Sequence, residues 1–326
     1  MKRVRLGRTN LNVSDIALGT GAIGSRFDDE TSIRILDCYV GEGGNFLDTA
    51  NVYGRWNPGN KPLSEILIGK WLKAHHLREH LIIATKGCAD HQNAIGQRRV
   101  SRESILEDIN NSLSNLGTDY IDLYYLHQDD PKIAISELLD TLNEIKQDGK
   151  IRYFGCSNWS AERIRKADQY AASHGIMSFS ANEIMFNLAK ANDDAVEEAT
   201  QSHMSAQMFH DHMETQRPVT AYTSQAAGYF ALCREEDFLT NPRFAFPRDF
   251  FHNDISASRA DRVRNLCLLK GYTPLEITLG FLLAQPFQVI PIVGPWNEKE
   301  LMESLKASNV TLSDTELNYI LDGAEF

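Results

Sequence analysis

The stretch Asp119-Tyr120-Ile121-Asp122-Leu123-Tyr124-Tyr125-Leu126-His127 follows Ser101–Leu116, SRESILEDINNSLSNL, after only Gly117 and Thr118. In the earlier segment Ile105, Ile109, Leu113 and Leu116 fall on one face behind Ser101, a capping residue type, with Ser104 inside the first turn. That pattern predicts an amphipathic helix. Tyr120–Tyr125 is a short run of apolar and aromatic residues of strand type, and it delivers a histidine at its C-terminal end. A helix leading straight into such a strand belongs to a parallel βα unit.

Working outward, the same alternation recurs along the chain. Eight strand-like runs are legible: Ile16–Leu18, Asn45–Leu47, Leu81–Thr85, Tyr120–Tyr125, Ile151–Gly155, Ser178–Ala181, Val219–Ala221 and Val289–Ile292. Helical faces lie between them at Leu63–Lys73, Ile133–Lys146, Ala161–Ala172, Pro274–Ala284 and Asn297–Ala307, with Asp148-Gly149 and His174-Gly175 punctuating helix ends. Eight strands close a (β/α)8 TIM barrel. Val4–Val13, with Gly7 and Asn10 in its middle, reads as an N-terminal β-hairpin across the barrel bottom. Arg234–Ser258, rich in aromatics and arginine and carrying Pro242 and Pro247, reads as the one long irregular insertion. The rival is an open doubly wound sheet, which Gly19-Thr20-Gly21-Ala22-Ile23-Gly24 superficially suggests. No helix opens on that turn and no acidic ribose partner ends a second strand, so it is the first loop over the barrel mouth.

Residues 1–326, 42% hydrophobic and 24% charged, offer enough apolar material for one large unit and no linker at which to divide it. A formal charge of -11 disfavours a nucleic-acid surface and leaves a small molecule as the expected partner. Neither a signal-peptide core nor an apolar stretch of membrane-span length is present in the sequence, which makes the cytoplasm the expected compartment. Five scattered cysteines without CxxC spacing suggest reduced thiols rather than disulfides or zinc ligands. Oligomeric state is left open.

In a barrel, chemistry sits at the C-terminal ends of the strands. Those positions hold Asp48, Tyr53, Lys86 and His127. Each alone has an ordinary structural explanation: a helix cap, a loop aromatic, an exposed charge, a satisfied core histidine. Together they suggest a proton donor. An ammonium beside Tyr53 favours phenolate and brings the phenol toward a working pH, Asp48 repays the burial of Lys86, and His127 orients a carbonyl oxygen.

The phrases Phe46–Gly54 (FLDTANVYG), Ser64–Lys70 (SEILIGK), Ala84–Lys86 (ATK), Asp119–His127 (DYIDLYYLH) and Gly155–Asn158 (GCSN) resemble the motifs of the aldo-keto reductase family, in the family's order and over nearly the whole chain. The resemblance implies a catalytic tetrad of Asp48, Tyr53, Lys86 and His127, and a nicotinamide cofactor, NADP(H) or NAD(H), lying across the barrel mouth. It implies that Ser157 and Asn158 hold the carboxamide, that Tyr222 stacks on the nicotinamide, and that Thr223, Ser224 and Gln225 begin a loop covering the pyrophosphate. Gly21 and Gly294 are expected beside the cofactor, and Trp56, close to Tyr53, beside the substrate. The substrate is then a carbonyl compound or its alcohol, with a sugar-like one suggested by Asn51–Gly59 and Ser157–Trp159.

Three departures stand out. Glu183 occupies the place of the family's glutamine after the sixth strand; ionised, it favours oxidised cofactor, unless protonated or neutralised, for example by Lys190. Tyr222-Thr223-Ser224-Gln225 replaces the more familiar Tyr-Ser-Pro-Leu. Glu300 stands where NADPH-using members commonly have arginine, with Lys299 the only nearby cation.

The remaining histidines, His203, His210, His212 and the pair His75-His76, form no metal-ligand pattern and are expected on solvated faces. Trp159 and Trp296 are expected in loops at the active-site end. Two alternatives carry different chemistry: a metal-dependent barrel hydrolase using Asp48, His127 and Glu183, and a cofactor-holding regulatory protein with little turnover.

Overall fold

The structure is a computed structural model that describes residues 1–90, 98–192, 194–195 and 202–324. Strands β1 (Arg3–Arg5) and β2 (Asn12–Ser14) pair antiparallel, Val4 opposite Val13. Eight parallel strands then close a barrel: β3 (Ala17–Gly19), β4 (Phe46–Asp48), β5 (Ile82–Gly87), β6 (Ile121–Leu126), β7 (Ile151–Ser157), β8 (Asn182–Met185), β9 (Val219–Tyr222) and β10 (Val289–Val293). Each strand bonds to the next, and β10 returns to β3. The fold is the (β/α)8 barrel expected from the eight runs.

The hairpin plugs the bottom. Leu6, Leu11 and Val13 pack against Ala17, Phe46, Ala84, Leu123 and Ile290, the innermost residues of the barrel. Strand pleat then sorts the upper layer. Asp48 is in register with Ala84, and Lys86 lies two residues beyond Ala84 opposite Tyr125. Ser157 is opposite Glu183, and Glu183 opposite Thr220. Because side chains alternate along a strand, this register sends Asp48, Lys86, Tyr125, Ser157, Glu183 and Thr220 to the inside together. The apolar plug below and the polar layer above are therefore consequences of one pleat.

Helix ends follow their sequence signals. Ser101 accepts from the Ser104 N–H at the start of the helix Arg102–Leu116, and Gly117 ends that helix in the left-handed region. Asp28 caps Asp29–Gly41, so the glycine-rich turn after β3 opens no helix.

Two expectations change. The sixth strand is Asn182–Met185, not Ser178–Ala181. Asn182 and Glu183 are poor strand formers, so composition hides a strand whose four residues are all buried. The stretch Arg234–Ser258 is largely helical rather than irregular: a 3-10 turn at Pro242–Phe244, a helix at Ala245–Phe251 and the start of a further helix, Asp254–Lys270. Its prolines sit in first turns, where a missing N–H costs nothing, and its Phe238, Phe244 and His252 cluster with Tyr229 just before it. Arg234 there pairs with Asp261.

The helices Leu63–His75 and Arg102–Leu116 meet at Gly69, where a Cβ would lie 2.3 Å from the Asn115 carbonyl oxygen. Backbone cannot retreat as a side chain can. Gly69→Ala is expected to lower stability by about 1–3 kcal/mol in urea unfolding. Gly41→Ala, with no atom within 4 Å of the new methyl group, should be neutral or slightly stabilising. Equal effects at the two positions would refute the packing argument.

Candidate active site

An ammonium group at the centre of a barrel loses its hydration and persists only if its charge and its N–H groups are answered. Lys86 is fully buried. Its Nζ donates to Asp48 Oδ1 and Oδ2 at 2.7 and 2.8 Å and to the Thr49 carbonyl at 2.8 Å. It lies 3.4 Å from Tyr53 Oη and 3.3 Å from Glu183 Oε1. Burial acts against its charge, but Asp48 and then Glu183 prevail and hold it well above the usual lysine range.

Tyr53 is placed by a loop with extensive support. Gly54 turns at φ 92°, and a Cβ there would lie 2.8 Å from the Leu63 nitrogen, so only glycine lets the loop close on the next helix. Ser64 bonds Thr49 and Thr20 through its hydroxyl and gives its N–H to the Tyr53 carbonyl. Buried Glu65 accepts from Thr85, Asn115 and Asn51, and Asn51 in turn receives Arg55. This role of Ser64 and Glu65 was not legible in the sequence, although both lie inside a motif.

The balance at Tyr53 differs from the expectation that Lys86 draws the phenol toward neutrality. Burial is the largest influence and raises it; Lys86 lowers it, while Asp48 and Glu183 raise it again. The phenol is pushed up to about 12, so it holds its proton at neutral pH. His127 follows β6, with its ring edge-on to Tyr53 at 6.3 Å between centroids. Burial, then Lys86, lowers its pKa to about 3, and its Nδ1 is buried with no hydrogen-bond partner. The imidazole is neutral. Asp48, Tyr53, Lys86 and His127 are thus brought together at one mouth.

The arrangement is a neutral phenol beside a buried ammonium and a neutral imidazole, able to give a proton to an oxygen placed between the two rings. Residues 15–323 match the model of the aldo/keto reductase family. The chain belongs to the aldo/keto reductase family. It is 27% identical to norsolorinic acid reductase B of Aspergillus parasiticus, covering 98% of this chain and 80% of that one. It is 28% identical to an uncharacterized oxidoreductase, YrpG, of Bacillus subtilis, covering 99% and 95%. An aryl-alcohol dehydrogenase [NADP(+)] of Phanerodontia chrysosporium is 26% identical, covering 97% and 84%. These matches make the chain an oxidoreductase of this family.

The other rim residues of this aldo/keto reductase fall into two groups. Ser157 ends β7 at the mouth, and the ring of Tyr222 is half-buried there, fixed by a 2.7 Å bond from its hydroxyl to Asn158 Oδ1. A Cβ on Gly294 would meet nothing within 4 Å, and one on Gly21 only Tyr53 Cε2 at 3.9 Å, so backbone faces open space at both. That space and the fixed aromatic face fit a flat cofactor head with a phosphate tail. The second group is committed inwardly. Asn158 gives its amide N–H groups to the His127 carbonyl and Ser157 Oγ. Ser224, expected in the loop over the pyrophosphate, is buried and donates to the Ile292 carbonyl. Gln225 donates to Ser304. Thr223 keeps a left-handed backbone at the turn, φ 51°.

Glu183 departs furthest from expectation. It lies within β8, and the cation beside it is Lys86 rather than Lys190. Glu300 is turned back as a helix cap, accepting from the Trp296 N–H and the Asn297 amide. Lys299 is not the only cation there, since Arg34 reaches Glu298 at 2.8 Å.

Trp56 is 39% exposed, 6.2 Å from the Tyr53 ring, and borders a cavity of about 810 Å³. Trp159 is buried against Phe179 and Trp296 packs edge-on to Phe27. Among the described residues no group of three or more His, Cys, Asp or Glu side chains is arranged to hold a metal. His212 is not solvated: it is buried between Asn182 and the Arg217 carbonyl, its pKa lowered to about 4 by burial. No single helix among the described residues is long and apolar enough to cross a membrane.

The two neutral histidines make a pH prediction. Both are lowered in the fold from 6.5, so the unfolded chain binds their protons first. Their contribution is complete above about pH 6.5 and is lost as the pH falls toward 4 and then 3. Histidine NMR should show His127 and His212 not titrating between about pH 5 and 8. A midpoint near 6.5 for His127 would contradict the neutral site.

Proposed function

We propose that this aldo/keto reductase interconverts a carbonyl compound and its alcohol with NADP(H) or NAD(H), Tyr53 exchanging the proton. The observation that carries this is the chain of contacts from Asp48 through buried Lys86 to Tyr53 Oη, with neutral His127 across the mouth. A bound nicotinamide supplies the hydride in such a reaction. Ser157, Tyr222 and Thr223, with the open backbone at Gly21 and Gly294, would hold it, and Asn158 would act by fixing the Tyr222 ring. Tyr53 gives its proton to the carbonyl oxygen, the Lys86 ammonium steadies the phenolate left behind, and His127 orients the oxygen. Solvent returns the proton to Tyr53.

The cavity beside Trp56 is rich in polar groups: Asn51, Arg55, Asn57, Asp90 and Arg99 are among its walls, and Lys86 borders it. None of Tyr53, His127 or Tyr222 is among those walls, so the sugar-like substrate, a hydroxylated aldehyde or ketone, is supported by Trp56 alone, whose ring lies 6.2 Å from that of Tyr53 as a flat face for it. Residues 1–326 act in this reading as one barrel unit.

Positioned proton transfer is worth about 10²–10⁴-fold. Tyr53→Phe should therefore reduce kcat at least about 100-fold, with cofactor affinity near wild type. Undiminished kcat would remove Tyr53 from the mechanism, and tight cofactor binding without turnover across a carbonyl and sugar panel would favour a regulatory protein.

The carboxylates of Glu298 and Glu300 open the helix after β10, and Arg34 is engaged with Glu298 and Glu30. A carboxylate near the adenosine repels a 2′-phosphate. NADH should be accepted at least comparably to NADPH in titrations of both. A preference of about 100-fold for NADPH, roughly 2.7 kcal/mol, would instead show that another cation, such as Arg34, Arg234 or Arg243, reaches that phosphate.

A further inference from the structure

Lys86 has three N–H groups and more than three acceptors around it. Asp48 Oδ1 and Oδ2, at 2.7 and 2.8 Å, subtend too narrow an angle for two N–H groups and share one, and the Thr49 carbonyl takes a second at 2.8 Å. The third is contested between Tyr53 Oη at 3.4 Å and Glu183 Oε1 at 3.3 Å. We propose that Glu183 is a positioning residue that competes with Tyr53 for the third N–H of Lys86, and that the proton on Glu183 decides which of them has it. The inference rests on the oxidoreductase reading of Tyr53, and it changes the expected influence of Glu183 from the cofactor to the tyrosine.

Two carboxyl groups around one buried ammonium leave the cluster a net negative charge unless one of them keeps its proton. Glu183 Oε2 is buried with no donor in reach, which a carboxylate tolerates poorly and a carboxylic acid answers by donating. Asp48 is the carboxyl that can accept: burial raises it, Lys86 and then a proton offered by Glu183 lower it, while burial, followed by the Asp48 charge, raises Glu183 well above the usual range. The titratable groups facing Glu183 are Asp48 on β4, Lys86 on β5, Tyr125 on β6, Tyr222 on β9 and Tyr53 in the loop. Lys86 alone is cationic among them.

When Glu183 is a neutral acid its oxygen is a weak acceptor, and the third N–H is free to steady a Tyr53 phenolate. When Glu183 ionises, its O–H bond breaks, the proton leaves to solvent, and the carboxylate claims that N–H. Tyr53 then keeps its own proton more tightly. The consequence is directional: at high pH Glu183 opposes use of Tyr53 as the base for alcohol oxidation by keeping it protonated, while carbonyl reduction keeps the protonated Tyr53 it needs and loses only the steadying of the phenolate it leaves.

The test compares pH profiles of kcat for alcohol oxidation in wild type and Glu183→Gln. Below the pH at which Glu183 ionises both profiles should rise together. Above it the wild-type profile should bend and lag, leaving the glutamine variant at least about tenfold faster, one pKa unit's worth. Superimposable profiles, or parallel ones separated by a constant factor at every pH, would overturn the proposal. Glu183→Met, similar in length and uncharged, serves if the glutamine variant does not fold. Infrared spectra supply a readout without substrate: wild type should show the C=O stretch of a protonated carboxyl that disappears on raising the pH and is missing in the variant. Its absence from wild type at neutral pH also overturns the proposal. Loss of all turnover in wild type, with that band present, would refute the enzymatic reading and leave the protonated Glu183 standing.

Discussion

A lysine with no exposed surface sits inside the ring of strands, and the upper half of the barrel is organised by the need to satisfy it. Removing an ammonium from water costs several kcal/mol, and that cost is offset only by close, directed acceptors. Asp48, the Thr49 carbonyl and Glu183 come from two other strands and the end of one of them, so barrel closure itself brings the acceptors into range. The hairpin and the apolar layer beneath keep the floor dry, which makes each of these contacts stronger than it would be in water.

The loop that carries Tyr53 is organised against the same centre from outside. Thr49, next to Asp48, bonds Ser64, and Ser64 bonds Thr20, tying the second loop to the first. Glu65 reaches Thr85, the neighbour of Lys86, from the adjacent helix. The phenol therefore stands where it does because residues on both sides of it in sequence are fastened to the strands that hold Asp48 and Lys86. A loop of this kind can be irregular in φ and ψ without being loose.

Much of this was legible in the sequence because the barrel repeats its signal. Seven of the eight runs overlap the strands observed, and the four strand-end residues converge as the topology requires. The sixth strand was displaced because Asn182 and Glu183 read as polar loop when they are in fact buried, and strand propensity reports only how a residue fits a half-buried pleated surface. The helix at Asp254–Lys270 was missed for a related reason: it carries Leu268 and Leu269 largely exposed, so its apolar residues do not mark one clean face. Ser224 and Glu300 illustrate a further loss. Sequence shows that an oxygen is present at a rim position, but whether it faces outward or closes a turn or cap depends on neighbours far along the chain, here Ile292 for Ser224.

Glu183 shows what a single change of residue type does within a fixed framework. A glutamine at this point would be neutral at every pH and would add no charge to the barrel mouth. A glutamate of nearly the same shape adds an ionisable oxygen beside a lysine whose hydrogen-bonding capacity is already almost exhausted. The backbone is untouched, so the difference cannot be read as a change of fold. In the proposed reaction it is a change in how many protons the cluster of Asp48, Lys86, Tyr53 and Glu183 holds, and where Tyr53 exchanges one with substrate, that number would set the pH range over which either direction is favoured.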